Sequence, residues 1–195
     1  MQNELNGHYW EQRYLACETG WDIGYASPPL TNYIDTLTDR EMKILIPGCG
    51  NGYEAAYLHE KGFNQVYLLD IAPTPLAQFA AKYPEFPGEH LIHGDFFEHE
   101  TTYDLIIEQT FFCALHPDLR SRYVEKMASL LPSGGRLAGL LFNCLFEKAG
   151  PPFGGKAAEY KELFEKQFII NTLRPEEHSI PPRARNEVFV EFIKP

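Results

Sequence analysis

Nowhere does the 195-residue chain approach about 18 consecutive apolar positions, so no membrane-spanning helix is expected. Its first residues, Met1 to Asn6, hold neither a basic cluster nor an apolar run, and no export signal is expected from them. Cysteine is sparse: Cys17, Cys49, Cys113 and Cys144 form no C-x-x-C pair and no small-domain framework, which argues against a zinc site and against disulfides and fits a reducing cytoplasm. Basic residues are outnumbered, 17 against 27 acidic, giving a net charge of −10. That balance opposes a phosphate-backbone partner, because such binding runs on clustered Lys and Arg. His90 and His93 stand three apart, which on a strand puts them on opposite faces, and no further ligand set accompanies them; no metal is expected. There is no internal repeat and no low-complexity tract.

What is present is a chain 44% hydrophobic and 14% aromatic, long enough for one well-buried core and too short for two ordinary domains. Its organising stretch is Lys43-Ile44-Leu45-Ile46-Pro47-Gly48-Cys49-Gly50-Asn51-Gly52-Tyr53. A β-branched apolar run, a glycine turn and a helix-compatible segment predict strand, loop and helix, and Val66-Tyr67-Leu68-Leu69-Asp70 predicts the next strand. Gly48, Gly50 and Gly52 leave bare backbone against which a ligand can lie, the helix offers unpaired N–H groups at its start, and the Asp70 carboxylate can accept from both hydroxyls of a ribose. The alternative is a plain glycine turn with no ligand. A dinucleotide fingerprint places its third glycine one residue later than Gly52, which argues against a nicotinamide oxidoreductase.

The remaining elements follow in order. A helix is expected from Glu4 to about Leu15. A loop rich in glycine and proline runs through Gly20-Trp21-Asp22-Ile23-Gly24 and Ser27-Pro28-Pro29-Leu30, and Thr31 is expected to cap a short helix toward Leu37. Helices are expected over 51–61, 73–82, 120–131 and 156–166 and strands over 91–93, 103–108, 136–142, 168–173 and 187–193, the last two as an antiparallel pair. Strands alternating with helices before a terminal hairpin predict an α/β, doubly wound sheet with its ligand at the C-terminal strand edge.

Two resemblances add to this reading. Pro47-Gly48-x-Gly50-x-Gly52 with Asp70 resembles the first motifs of class I S-adenosylmethionine-dependent methyltransferases, which implies their seven-stranded Rossmann-like fold. Trp10, Tyr14, Trp21-Asp22-x-Gly24, Ser27-Pro28-Pro29-Leu30, Phe111-Phe112-Cys113-Ala114 and Gly150-Pro151-Pro152-Phe153 resemble the thiopurine methyltransferase family, most closely its thiol and halide branch, from about Trp10 to Arg183. Tyr14 replaces a tryptophan, Glu108-Gln109 an Asp-Tyr pair, and Phe153 a tyrosine.

The resemblance implies that Trp10, Tyr14 and Trp21 lie over bound S-adenosylmethionine, that Gly48, Gly50 and Asp70 hold it, that Asp95 and Phe96 meet the adenine, and that Gln109 approaches the methionine end. A sulfonium cation against aromatic faces is physically apt. The competing readings are core packing for the aromatics and a turn cap for Asp95. Trp21, Phe111, Phe112 and Phe153 are candidates for the acceptor pocket. Residues 1–38 are expected to form an aromatic cover over a core of 39–195.

The implied reaction is methyl transfer to a small soft nucleophile, a thiol or thiolate, with halide or thiocyanate as alternatives, leaving S-adenosylhomocysteine. No general base is evident, and Glu108 and His116 are the nearest candidates. Another small-molecule O- or N-methyltransferase, or a non-catalytic adenosyl-ligand sensor, would carry the same cofactor motifs. A monomer acting on a small molecule, without nucleic acid or membrane, is the expected partner state.

Overall fold

The computed structural model describes residues 5–195, so Glu4, expected to open the first helix, lies outside the described residues. The first helices are α1 (Gly7–Leu15) and α2 (Pro28–Ile34). Then β1 (Ile44–Pro47), α3 (Tyr53–Glu60), β2 (Val66–Asp70), α4 (Pro73–Lys82), β3 (Leu91–His93) and β4 (Leu105–Gln109) alternate, followed by α5 (Arg120–Ser129), β5 (Arg136–Phe142), α6 (Ala157–Phe164), β6 (Ile169–Pro175) and β7 (Glu187–Ile193). The seven strands form one sheet ordered β3-β2-β1-β4-β5-β7-β6. The first five strands pair in parallel, and β7 inserts antiparallel between β5 and the edge strand β6.

The run of β1 is apolar without alternation because both faces of the sheet are covered. Ile44 and Ile46 join a core with Leu30, Leu58, Leu68 and Phe79, whereas Leu45 joins Ile106, Tyr123, Met127, Phe164 and Phe192 on the other face. Edge strand β6 is mostly exposed or half-buried, with a register shift between Ile170 and Thr172 that interrupts its free edge.

Two expectations need correction. Helix α2 begins at Pro28, with Ser27 at its N-cap position, and Thr31 lies inside it, donating its hydroxyl to the Pro28 carbonyl at 3.0 Å. Prolines in a first turn lose no helical hydrogen bond and are pre-set at a helical φ, so Pro28-Pro29 starts the helix instead of preceding it. His90 belongs to a 3-10 turn, Gly88–His90, and not to β3, so strand geometry does not govern its spacing to His93. Among the described residues no group of three or more His, Cys, Asp or Glu could hold a metal, and no helix is long and apolar enough to cross a membrane.

The order places β1 beside both β2 and β4. The chain leaves β1 toward one side of the sheet and returns on the other, which opens a crevice above the C-terminal ends of these strands. Helix α1 closes it from above. Glu11 accepts from the Thr74 amide (3.1 Å) and hydroxyl (2.5 Å) at the start of α4, which sets Trp10 and Tyr14 next to the end of β2.

Candidate cofactor and acceptor site

A cavity of about 800 Å³ occupies this crevice. It is lined from the expected directions: Trp10, Tyr14 and Trp21 from the N-terminal segment, Gly48 and Gly50 after β1, Asp70 after β2, Asp95 and Phe96 after β3, and Gln109 and Phe111 after β4.

The turn after β1 is built on left-handed backbone, with φ of +56° at Gly48, +52° at Gly50 and +67° at Gly52. The reason for glycine differs along it. A Cβ at Gly48 would stand 2.3 Å from the Phe111 ring, so this glycine, itself in the cavity lining, also clears space for the aromatic wall. Gly52 does not line the cavity, and a Cβ there would meet Phe79 at 2.6 Å and Leu68 at 2.7 Å, so its expected role as bare backbone for a ligand gives way to a helix–strand packing constraint.

Asp70 is buried, accepting from the Gly50 amide at 3.0 Å with one oxygen and from the Ala72 amide at 2.9 Å with the other. Burial raises its pKa, and these amides oppose the rise. Two carboxylate oxygens offer about four lone-pair sites, so acceptor capacity for two hydroxyls remains. Asp95 heads a 3-10 turn and accepts from the Phe97 amide at 2.8 Å, so the turn-cap reading is realised at a position that also lines the cavity.

The aromatics form one cluster. Trp21 meets Trp10 edge-on at 5.5 Å and Tyr14 edge-on at 5.7 Å, while Arg13 lies 5.8 Å from its ring centre. Tyr14 is buried over the glycine turn, and desolvation followed by the nearby Asp70 charge raises its phenol pKa.

The loop carrying Trp21 is tied to the core. Asp22 accepts from Asn51 Nδ2 at 2.5 Å and from the Tyr53 hydroxyl at 3.2 Å. Glu54 Oε1 accepts from the Ser27 amide at 2.9 Å, and Arg183 Nη2 donates to the Trp21 carbonyl at 2.8 Å. With its amide oriented to satisfy both ends, Gln109 donates to Glu54 Oε1 at 3.0 Å and accepts from Arg183 Nη1 at 3.0 Å and from the Ser27 hydroxyl at 3.2 Å.

After β4, Glu108 folds back into the chain. Its Oε1 accepts from the amides of Phe111 (2.9 Å) and Phe112 (2.6 Å), and burial pushes its pKa up to about 7. This fixes the turn in which Thr110, a β-branched residue, holds φ +60° while lining the cavity. Such strain persists only where neighbouring bonds over-determine it.

Of the four acceptor-pocket candidates, Trp21 and Phe111 line the cavity. Phe112 and Phe153 do not. Phe112 is fully buried against Tyr123, Tyr160 and Phe164, because the 3-10 turn at 112–114 aims consecutive rings in different directions, and Phe153 packs edge-on to His116. At that end the lining comes instead from Phe142, Phe146, Pro151, Pro152 and Pro182, with Arg183. Both Gly150-Pro151 and Pro151-Pro152 are cis.

Sequence reasoning missed the roles of Glu54 and Arg183. A glutamate in the first turn of α3 reads as helix-dipole complement, and Arg183 gives no local signal beyond following Pro181-Pro182.

A seven-stranded sheet with an antiparallel β7 and a glycine-turn cavity at its switch point is the architecture of the class I S-adenosylmethionine-dependent methyltransferase fold. Residues 5–193 match the family described as thiopurine S-methyltransferase (TPMT), and the chain belongs to that family. It is 30% identical over 193 residues to a probable thiol methyltransferase 2 of Arabidopsis thaliana, covering 96% of this chain and 85% of the relative. It is 30% identical over 185 residues to thiocyanate methyltransferase 1 of the same plant, covering 91% and 81%. A TehB-like SAM-dependent methyltransferase of Corynebacterium glutamicum superposes with a TM-score of 0.68 at 21% identity over 97% of this chain and 98% of that one. The chain is therefore an S-adenosylmethionine-dependent methyltransferase.

Proposed function

We propose that the protein methylates a small thiol, as its thiolate, with other soft anions such as iodide or thiocyanate as weaker alternatives. One observation carries this: among the described residues the cavity lining contains neither histidine nor lysine, and its four carboxylates all accept hydrogen bonds, Asp22 from Asn51, Glu54 from the Ser27 amide, Asp70 from Gly50 and Asp95 from Phe97. Neither Glu108 nor His116, the two candidate bases, lines it. An acceptor that ionises by itself near neutral pH needs no base, and a thiol with a pKa of about 8.5 meets that condition.

S-adenosylmethionine, when bound, supplies an electrophilic methyl group that passes to the acceptor in one in-line displacement, leaving S-adenosylhomocysteine. In this reading Asp70 takes the ribose hydroxyls, Asp95 and the Phe96 backbone take the adenine, Gly48 and Gly50 give the cofactor bare peptide, and Gln109 stands at the methionine end. Trp10, Tyr14 and Trp21 present aromatic surface to the cation and exclude water. Phe142, Phe146, Pro151 and Pro152 supply an apolar wall that favours weakly hydrated sulfur over an amine or a hard oxyanion. Alignment in such a site is worth on the order of 7–11 kcal/mol of barrier, enough to dispense with acid–base help.

The thiol reading agrees with the thiol and thiocyanate methyltransferase names of the two plant relatives. Four free cysteines, two of them buried, agree with work in a reducing cytoplasm, and the chain is read as a monomer without nucleic-acid or membrane partner. The test is methyl-labelled cofactor offered to hydrosulfide, thiophenol, iodide, thiocyanate, a catechol and an amine in parallel. Transfer is expected first to the thiols, and preferred transfer to the catechol or the amine overturns the proposal.

A further inference from the structure

The polar ties under the cover converge on one side chain. Arg183 is buried, reached by the 3-10 turn Pro181–Arg183 just ahead of β7, and its guanidinium touches three separate parts of the fold. Nη2 donates to the Trp21 carbonyl at 2.8 Å, and Nη1 donates to the Gln109 side-chain oxygen at 3.0 Å and pairs with Glu187 at 3.5 Å. Gln109 in turn passes its own amide hydrogen to Glu54, which also holds the Ser27 amide. The cover loop, the end of β4 and the start of β7 thus share one planar, five-donor fork.

We propose that Arg183 is a positioning residue that couples the aromatic cover to Gln109, so that the cover seats and the amide turns toward the cavity as one cooperative unit. The reason is geometric. Glu54 accepts only from the NH2 end of Gln109, and that end faces it only while Arg183 and the Ser27 hydroxyl hold the oxygen. Lifting the Trp21 carbonyl away removes one of the guanidinium's partners, and moving Ser27 removes a partner from Gln109 and from Glu54 together. Both terminal nitrogens are already engaged, by a carbonyl, an amide and a carboxylate, and the quenching readout below separates this role from direct binding of the acceptor.

The two tryptophans of the chain, Trp10 and Trp21, both belong to the cover, so their fluorescence reports it alone. The inference rests on methyl transfer only for its kinetic arm; the fluorescence arm is independent of the acceptor. The substitution is Arg183→Lys, which keeps the charge beside Glu187 but replaces the rigid fork that spans Trp21 and Gln109 with a single nitrogen on a flexible stem. In the folded variant, acrylamide quenching of the tryptophans rises, and kcat with cofactor and acceptor both saturating falls by about tenfold, the weight of one hydrogen bond to a charged group. Unchanged quenching with unchanged saturated kcat overturns the proposal. So does a loss confined to the KM of the thiol with quenching unchanged, since that marks Arg183 as a direct acceptor contact.

Should Arg183→Lys fail to fold, hydrogen exchange on the unaltered chain decides. Adding S-adenosylhomocysteine is expected to slow exchange in residues 20–27 and 180–186 by the same factor, and protection of one segment without the other contradicts the coupling.

Discussion

The carboxylate of Asp70 and the amide of Gly50 are joined at 3.0 Å, which ties the end of β2 to the glycine turn after β1. The bond exists in the protein's own fold, so this carboxylate both shapes the turn and, in the proposed site, receives the ribose. Asp70→Asn keeps an oxygen for Gly50 but replaces the other with a donor that faces the Ala72 amide. Affinity for S-adenosylhomocysteine is expected to fall about 10- to 100-fold, corresponding to about 1.5–3 kcal/mol for hydrogen bonds to a charged acceptor. Titration calorimetry on a folded variant checks this, and unchanged affinity removes the ribose assignment.

Gly48 and Gly52 separate two reasons for the same residue type. Alanine at either position meets a left-handed backbone costing about 1–2 kcal/mol. Gly48→Ala also pushes on Phe111, a cavity wall, whereas Gly52→Ala pushes on Phe79 and Leu68 in the core. Both variants should melt earlier. Cofactor affinity should suffer in Gly48→Ala beyond what its stability loss explains, and in Gly52→Ala it should track stability; equal behaviour of the two contradicts the distinction.

Much of this was legible beforehand because the strands carry strong signals. The apolar runs of β1 and β2 each state their element locally. The start of α2 was not legible, since Pro28-Pro29 fits a loop and a first helical turn equally well. Nor was the difference between Phe111 and Phe112: adjacent rings in a 3-10 turn have no periodicity to assign them, and only the packed structure shows which one Tyr160 and Phe164 enclose. Arg183 escaped notice for a related reason. Its partners, Trp21, Gln109 and Glu187, come from three distant segments, and single-sequence patterns carry no information on such meetings.

Glu108 predicts a pH dependence of stability. Its folded pKa of about 7 exceeds the ordinary 4.5, chiefly through burial and against the pull of the Phe111 and Phe112 amides. A carboxyl with a raised folded pKa favours the native state fully below its unfolded pKa, and that favour is lost as pH rises through about 7. The difference amounts to about 3 kcal/mol. Melting temperature should therefore decline from pH 5 to pH 8, and Glu108→Gln should flatten the decline while leaving the contributions of Glu54, Asp70 and Glu187, whose pKa values burial also raises. A variant with the unaltered slope assigns the dependence elsewhere.

The central claim, that the acceptor ionises without help from the enzyme, is tested most directly by the pH dependence of saturated methyl transfer to several thiols of different acidity, with iodide alongside. The account predicts that the apparent pKa of the rate follows each thiol in turn and that the iodide rate stays nearly flat across neutral pH. A single apparent pKa shared by all the thiols would contradict it and point to a general base in the protein.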